Sequence, residues 1–179
     1  GYDIYKEMKV RRFWAREPES QIRPLLLKRL YPDISGLGGG SGAYLAAFFK
    51  HGLADTDSPF YSHAIRWANT ARIRNFLLGR HEGTPTGRDD YPEPPAPPAA
   101  FRHWSHLGQA QYLEITIFLS QYLLSSQGDR MGMAHSIEGR YPFLDHRLVD
   151  FCNRLPARLK MRGLTEKWLL RQLGRTLLP

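Results

Sequence analysis

The sequence predicts a mainly α-helical fold, for three reasons. Apolar residues recur at helical spacing along most of the chain, convincing strands are almost absent, and Pro and Gly fall between the periodic stretches. The first expected helix covers residues 4–15, amphipathic but crowded with charge, with Pro18 ending it. In SQIRPLLLKRLYP, Ser20 is the expected N-cap and Leu25, Leu26, Leu27 and Leu30 the expected buried stripe, stopped at Pro32. A third helix is expected over residues 41–51. A fourth is expected over residues 66–78, where Trp67, Ala71, Ile73 and Leu77 repeat at helical spacing before a C-capping Gly79.

The stretch RHEGTPTGRDDYPEPPAPPAAF differs in kind. Its prolines and glycines remove the donors and dihedrals that regular structure needs, so an exposed linker is expected. The chain is thereby organised as a helical segment 1–79, a Pro/Gly-rich loop 80–100 and a second helical segment 101–179. Beyond the loop, GQAQYLEITIFLSQYLLSSQG is apolar on most sides, as a helix buried by neighbours should be. Glu114 is its one acid and is expected at an exposed rim.

A chain of 179 residues buries roughly 70% of its unfolded surface, enough for one domain with a real core. Hydrophobic residues at 42% and charged residues at 23% exclude a disordered or collagen-like chain. The single Cys152 has no disulfide partner within the chain, which fits a reducing, cytoplasmic setting. No apolar run approaches the ~20 residues of a membrane span, so no membrane partner is expected. The net charge of +8 raises nucleic acid as a partner, but the basic residues are scattered and no nucleic-acid module surrounds them. No nucleic acid is expected.

Two chemical signals carry little. GLGGGSGA, residues 36–43, leads into a helix and has a GxGxxA spacing, but no strand precedes it and it lacks the P-loop Lys. A turn between helices is expected there. The seven histidines form no HExxH and no metal spacing with Cys152, so no metal site is expected from the side chains.

The informative run is GDRMGMAHSIEGRYPFLDHR, residues 128–147. Asp129, Arg130, Glu138, Arg140, Asp145 and Arg147 alternate in charge among short apolar stretches. Pro142 biases Tyr141 away from helical dihedrals, so GRYPFLD should be a turn, with Phe143 and Leu144 anchoring it in the core. On chemistry alone, such a cluster is equally a structural ion-pair network or a site orienting a charged ligand.

The run continues as LVDF and then LPARLKMRGLTEKWLLRQL. Together these resemble the C-terminal signature of the synthetase domain of glutamine-dependent asparagine synthetases. That family reads Asp-Arg, then Met-Ala-His-Ser, then Glu-x-Arg-x-Pro-Phe-Leu-Asp, and later a Lys followed by an apolar pair and Arg. Asp129, Arg130, Met133, Ala134, His135, Ser136, Glu138, Arg140, Pro142, Phe143, Leu144, Asp145, Lys167 and Arg171 match it. Gly139 departs from the Ala that many members carry. The resemblance is weak over residues 5–100 and strong from Tyr112 onward. The opening Gly1-Tyr2 is similar to the end of the family's glycine-rich loop.

The resemblance implies the helical C-terminal part of an α/β, adenine-nucleotide α-hydrolase-like (PP-loop ATP pyrophosphatase) domain whose parallel-sheet half is mostly outside this chain. The N-terminal glutaminase domain with its Cys nucleophile and the Ser-Gly-Gly-x-Asp-Ser pyrophosphate loop are not in these residues. A fragment inactive alone is expected. For the whole protein it implies ATP-dependent amidation of aspartate, with ATP and Mg2+ as cofactors and ammonia from glutamine as the nitrogen source. The glutaminase domain and a second copy of the chain are the implied protein partners. It makes Glu138 and Lys167 the expected catalytic residues, one near the reacting centre and the other on the nucleotide phosphates. Asp129, Arg130, Arg140 and Asp145 are expected around them, with Arg140 and Asp145 bracing the turn. A sibling ligase acting on another carboxylate, as in enzymes that close β-lactam rings, and a non-catalytic helical module are the alternatives.

Overall fold

The computed structural model describes residues 3–31, 41–77 and 96–178. These are mostly helical, with one two-stranded sheet. The chain divides into two compact units, one of Glu7–Trp104 and one of Gly1–Lys6 with Ser105–Pro179.

In the unit Glu7–Trp104, helix α1 (Ile4–Ala15) contributes its length from Glu7 onward. Met8, Val10 and Trp14 are buried there, as the amphipathic pattern predicts. Two charged side chains, Glu7 and Arg11, are buried with them. Arg11 is only 2% exposed because its fork is filled by backbone. Nε donates to Phe49 O (3.2 Å), Nη1 to Tyr61 O (3.0 Å), and Nη2 to His51 O (2.8 Å) and Gly52 O (3.0 Å). Its guanidinium also lies 4.4 Å from the Tyr61 ring centroid. Burial lowers the Arg11 pKa, against the raising influence of Tyr61, Glu7 and Asp55. Glu7 accepts from Tyr31 and from the guanidinium of Arg66. One arginine thus ties α1 to the end of α2 (Ser41–Lys50), the following turn and the start of α3 (Tyr61–Leu77).

Two expectations for this unit need correction. The segment after Ser20 is a 3-10 helix, Arg23–Arg29, not an α-helical stripe. Its repeat of about three residues per turn puts Leu27 and Leu30 on the buried side and leaves Leu25 exposed. Ser20 Oγ accepts from Ile22 N and Arg23 N, just ahead of that helix. Helix α3 begins earlier than the apolar repeat suggests; among its described side chains Tyr61, Ser62, His63 and Ile65 are buried and Ile73 is exposed, and the side chain of Leu77 lies outside those described. Gly79, Pro32, most of the 36–43 loop and most of the 80–100 linker lie outside the described residues.

In the other unit, α4 (His106–Leu113) is capped by Ser105, whose hydroxyl accepts from Gly108 N at 3.1 Å. It runs without a break into Glu114–Asp129, a π-helix of 16 residues. This is far longer than the single-turn bulges in which π geometry is usually met. Thr116, Ser120 and Ser125 hydroxyls donate to carbonyls four residues back, so side chains occupy acceptors an α-helix would give to amides. Glu114 is buried rather than at a rim. It falls at i+7 and i+4 from the buried Leu107 and Ala110, which is the same helical face. The expected burial on most sides does not occur, for Ile115 and Tyr122 are exposed.

The C-terminal portion holds α5 (Arg130–Ala134), α6 (His146–Arg154), α7 (Ala157–Lys160), the hairpin β1 (Met161–Arg162) with β2 (Thr165–Glu166), and α8 (Trp168–Leu177). The strands pair antiparallel, Met161 opposite Glu166 and Arg162 opposite Thr165. Gly163 opens the two-residue turn with φ +59°, which glycine adopts freely. Lys160 Nζ, its pKa lowered by burial, donates at 3.4 Å to Gln111 Oε1 and to Asn153 O, joining α7 to α4 and the end of α6.

Candidate active site

The signature residues lie on two backbone reversals. At the first, α5 ends in a Schellman turn. Ser136 N donates to Met133 O (3.1 Å) and Ile137 N to Gly132 O (2.8 Å), with Ser136 itself in the left-handed region at φ 56°. A Cβ on Gly132 would stand 2.9 Å from Ile137 O, so glycine is what lets the chain fold back there. The next residue is Glu138.

Pro142 then acts as expected. Tyr141 is extended at φ −120°, and Pro142–Leu144 forms a single 3-10 turn closed by Leu144 N to Tyr141 O at 2.8 Å. Asp145 caps α6, accepting from Arg147 N at 2.9 Å. The Arg147 fork also grips this carboxylate, Nε to Oδ1 at 3.0 Å and Nη2 to Oδ2 at 2.9 Å. These bonds from the Arg147 side chain and backbone hold the Asp145 carboxyl below its ordinary range and raise Arg147. Phe143 and Leu144 do not anchor the turn in a core; both are exposed, with Met131, Met133 and Ile137.

The second reversal presents Lys167. The residue is at the N-cap of α8 in the left-handed region, φ 52° and ψ 38°. The hairpin delivers it, and α8 starts on it, with Arg171 N donating to Lys167 O at 2.9 Å. Arg171 Nε donates to Glu166 O at 3.0 Å, so the last base of the signature pins the backbone on both sides of this hinge. Arg162 lies 4.9 Å from the Trp168 ring centroid on the same turn. Leu169 and Leu170 are exposed.

Of the expected residues, the structure pairs Glu138 with Arg140, at 3.5 Å and with the two side chains 80% and 83% exposed. Asp145 is paired with Arg147, leaving Arg140 to Glu138. Asp129 and Arg130 sit at the junction of the π-helix with α5, exposed and without an ion pair among the described residues. Lys167 is likewise exposed and unpaired among the described residues. Lys167 is the N-cap of a ten-residue helix, whose first-turn amides together with a cation suit a phosphate. No three His, Cys, Asp or Glu side chains among the described residues converge on a metal position. Arg147 and Arg171 are the supporting residues the sequence left unassigned; their signal was spacing, two residues after a cap and four after the lysine.

Comparison with known proteins decides what this arrangement belongs to. The family described as asparagine synthase matches residues 1–179. The chain belongs to the asparagine synthase family. A putative glutamine-hydrolysing asparagine synthetase of Mycobacterium tuberculosis is 28% identical over 180 aligned positions, covering 100% of this chain and 26% of that protein. Asparagine synthetase [glutamine-hydrolyzing] 3 of Bacillus subtilis is 39% identical over 71 residues, 40% of this chain and 11% of the relative. Amidase chry2 of Gibberella zeae is 39% identical over 61 residues, 34% of this chain and 9% of the relative. The chain therefore spans between 9% and 26% of the length of these relatives. No solved structure matches it. No helix among the described residues is long and apolar enough to cross a membrane.

Proposed function

We propose that this chain is part of an ATP-dependent carbon–nitrogen ligase that converts aspartate to asparagine through an acyl-adenylate. It would form part of a PP-loop synthetase domain and use ammonia released from glutamine by a glutaminase domain. The observation that carries this reading is the family match over residues 1–179, which includes both reversals that display Glu138 and Lys167.

The chemistry follows from where charge moves. The aspartate side-chain carboxylate attacks the α-phosphorus of ATP, and the bond to pyrophosphate breaks. Negative charge grows on the leaving phosphates, and an ammonium fixed beforehand stabilises it without reorganisation. Lys167 suits that task, as a compact cation held on a backbone hinge at a helix start. Ammonia then attacks the acyl carbon. The new C–N bond forms, nitrogen sheds a proton, and the C–O bond to AMP breaks. Glu138 is the carboxylate available to take that proton or orient the nucleophile. Its Oε1 lies 3.5 Å from Nη2 of Arg140, so a cation stands beside it. The Mg2+ implied by the family finds no three-ligand cluster among the described residues, and the roles above rest on side chains alone.

The relatives named amidase favour a second reading, a ligase of the same mechanism acting on another carboxylate. One experiment addresses both. The full polypeptide carrying these residues is supplied with ATP, Mg2+, glutamine or ammonia, and aspartate or a panel of other carboxylates, while AMP, pyrophosphate and amide are measured. Aspartate-dependent pyrophosphate release, reduced about 10²-fold or more by Glu138→Gln in line with general-base losses, is expected. Turnover only with another carboxylate selects the second reading. Near-normal asparagine formation by the Gln variant removes Glu138 from the chemistry.

A further inference from the structure

Gly139 is a glycine for want of space, not for want of backbone freedom. Its φ is not among the positive values, so the backbone there is one that alanine adopts without strain. A Cβ added to it would lie 2.4 Å from Tyr141 Oη, 2.7 Å from Cζ and 2.9 Å from Cε2. The phenol lies across this residue. Its hydroxyl also comes within 3.3 Å of where a Cβ would stand on Gly128, in the last turn of the π-helix. The ring thus covers Gly139, and its hydroxyl reaches toward Gly128, eleven positions earlier in sequence.

We propose that Tyr141 is the positioning residue for Glu138. The ring clamps the segment Glu138-Gly139-Arg140 beside the end of the π-helix, and Gly139 is the position that must stay bare for it to do so. Glu138 sits on the short span between two fixed points. One is the Schellman turn, closed by Ile137 N on Gly132 O, and the other is the seated ring of Tyr141. Without the ring, the Schellman turn is the remaining anchor of the Glu138 backbone, because Phe143 and Leu144 beyond the proline are exposed. The clamp works by shape. Tyr141 Oη is closest to the glycines, but the ring itself covers the Gly139 site, so phenylalanine should serve nearly as well. The bearing on catalysis rests on the role proposed for Glu138; the clamp does not.

Gly139→Ala and Tyr141→Ala should then be equivalent, since the added methyl does nothing but evict the ring. Trypsin reads this directly, because Arg140 is exposed and precedes Tyr141. Cleavage after Arg140 should accelerate several-fold in each single variant and no further in the double variant, while Tyr141→Phe stays near the parent. Additive acceleration, or none, overturns the clamp. In the full polypeptide, Gly139→Ala and Tyr141→Ala should lower kcat for amide formation while leaving the KM for ATP in place. Neither should lower it further in a Glu138→Gln background. A kcat loss that persists in full in that background overturns the positioning role. If the parent polypeptide forms no amide from any carboxylate, the reading under Proposed function falls, and the cleavage series still decides the clamp.

Discussion

Replacing Arg11 with Met tests how much of the first unit hangs on one side chain. Met keeps much of the apolar stem but removes the fork, and with it the bonds to the carbonyls of Phe49, His51, Gly52 and Tyr61 together. Hydrogen bonds to a charged group are each worth about 1.5–3 kcal/mol, so four added naively would rival the whole stability of a domain, about 5–15 kcal/mol. They do not add, because losing the guanidinium also removes its desolvation cost, the same burial that lowers its pKa. The closer comparison is removal of one partner from a buried charged network, about 3–5 kcal/mol. Arg11→Lys should recover only part of this, since a single ammonium cannot reach carbonyls arranged around a planar fork. Urea unfolding followed by tryptophan emission is the assay, for Trp14 is buried in this unit with Nε1 donating to Pro18 O at 3.0 Å. If Met falls within about 0.5 kcal/mol of the parent, the range of ordinary surface changes, the four bonds are not what joins α1, α2 and α3.

Three further outcomes follow from the site. Ser136→Gly should raise stability by up to about 1 kcal/mol by relieving a left-handed non-glycine residue, whereas Gly132→Ala should lower it, its Cβ meeting Ile137 O at 2.9 Å; paired urea curves compare them. Because Arg147 holds the folded Asp145 carboxyl below its ordinary range, the α6 cap is complete above the unfolded aspartate pKa. The cap should be lost as pH falls through the lowered value, so protection of the Val149 amide, which bonds Asp145 O, should fade in acid, and Asp145→Asn should flatten that profile. Lys167→Gly should leave the fold as stable or slightly more so, since φ 52° costs a lysine what it does not cost glycine, yet abolish ATP-dependent pyrophosphate release by the full polypeptide. A marked drop in its unfolding midpoint, with release intact, would make Lys167 scaffolding.

Much of the secondary structure was legible in the sequence because it is set locally. The first helix needs only its amphipathic run and Pro18, and the turn at Tyr141 needs only the steric demand of Pro142 on its neighbour. Burial was less legible. Glu114 lies on the buried helical face by its spacing from Leu107 and Ala110, yet its charge argued for the surface. The apolar Phe143 and Leu144 are exposed although their chemistry argued for a core. Whether a side chain is covered depends on what other parts of a fold supply, and residue type alone does not carry that information.

The sequence by itself determined the family, since a run of charges, prolines and spacing from Asp129 to Arg171 can be read residue by residue. It also determined which residue types are offered to that chemistry. Only the tertiary structure decided how they are held. It set Lys167 on a left-handed hinge, gave Asp145 to Arg147 and Arg140 to Glu138, and laid Tyr141 over Gly139. The reason is physical. A carboxylate next to several arginines in sequence has several partners within reach, and only the backbone reversals between them select which guanidinium arrives in register. The same holds for Arg11, whose four carbonyl partners lie 38 to 50 residues away and exist as a cluster only once three helices have met.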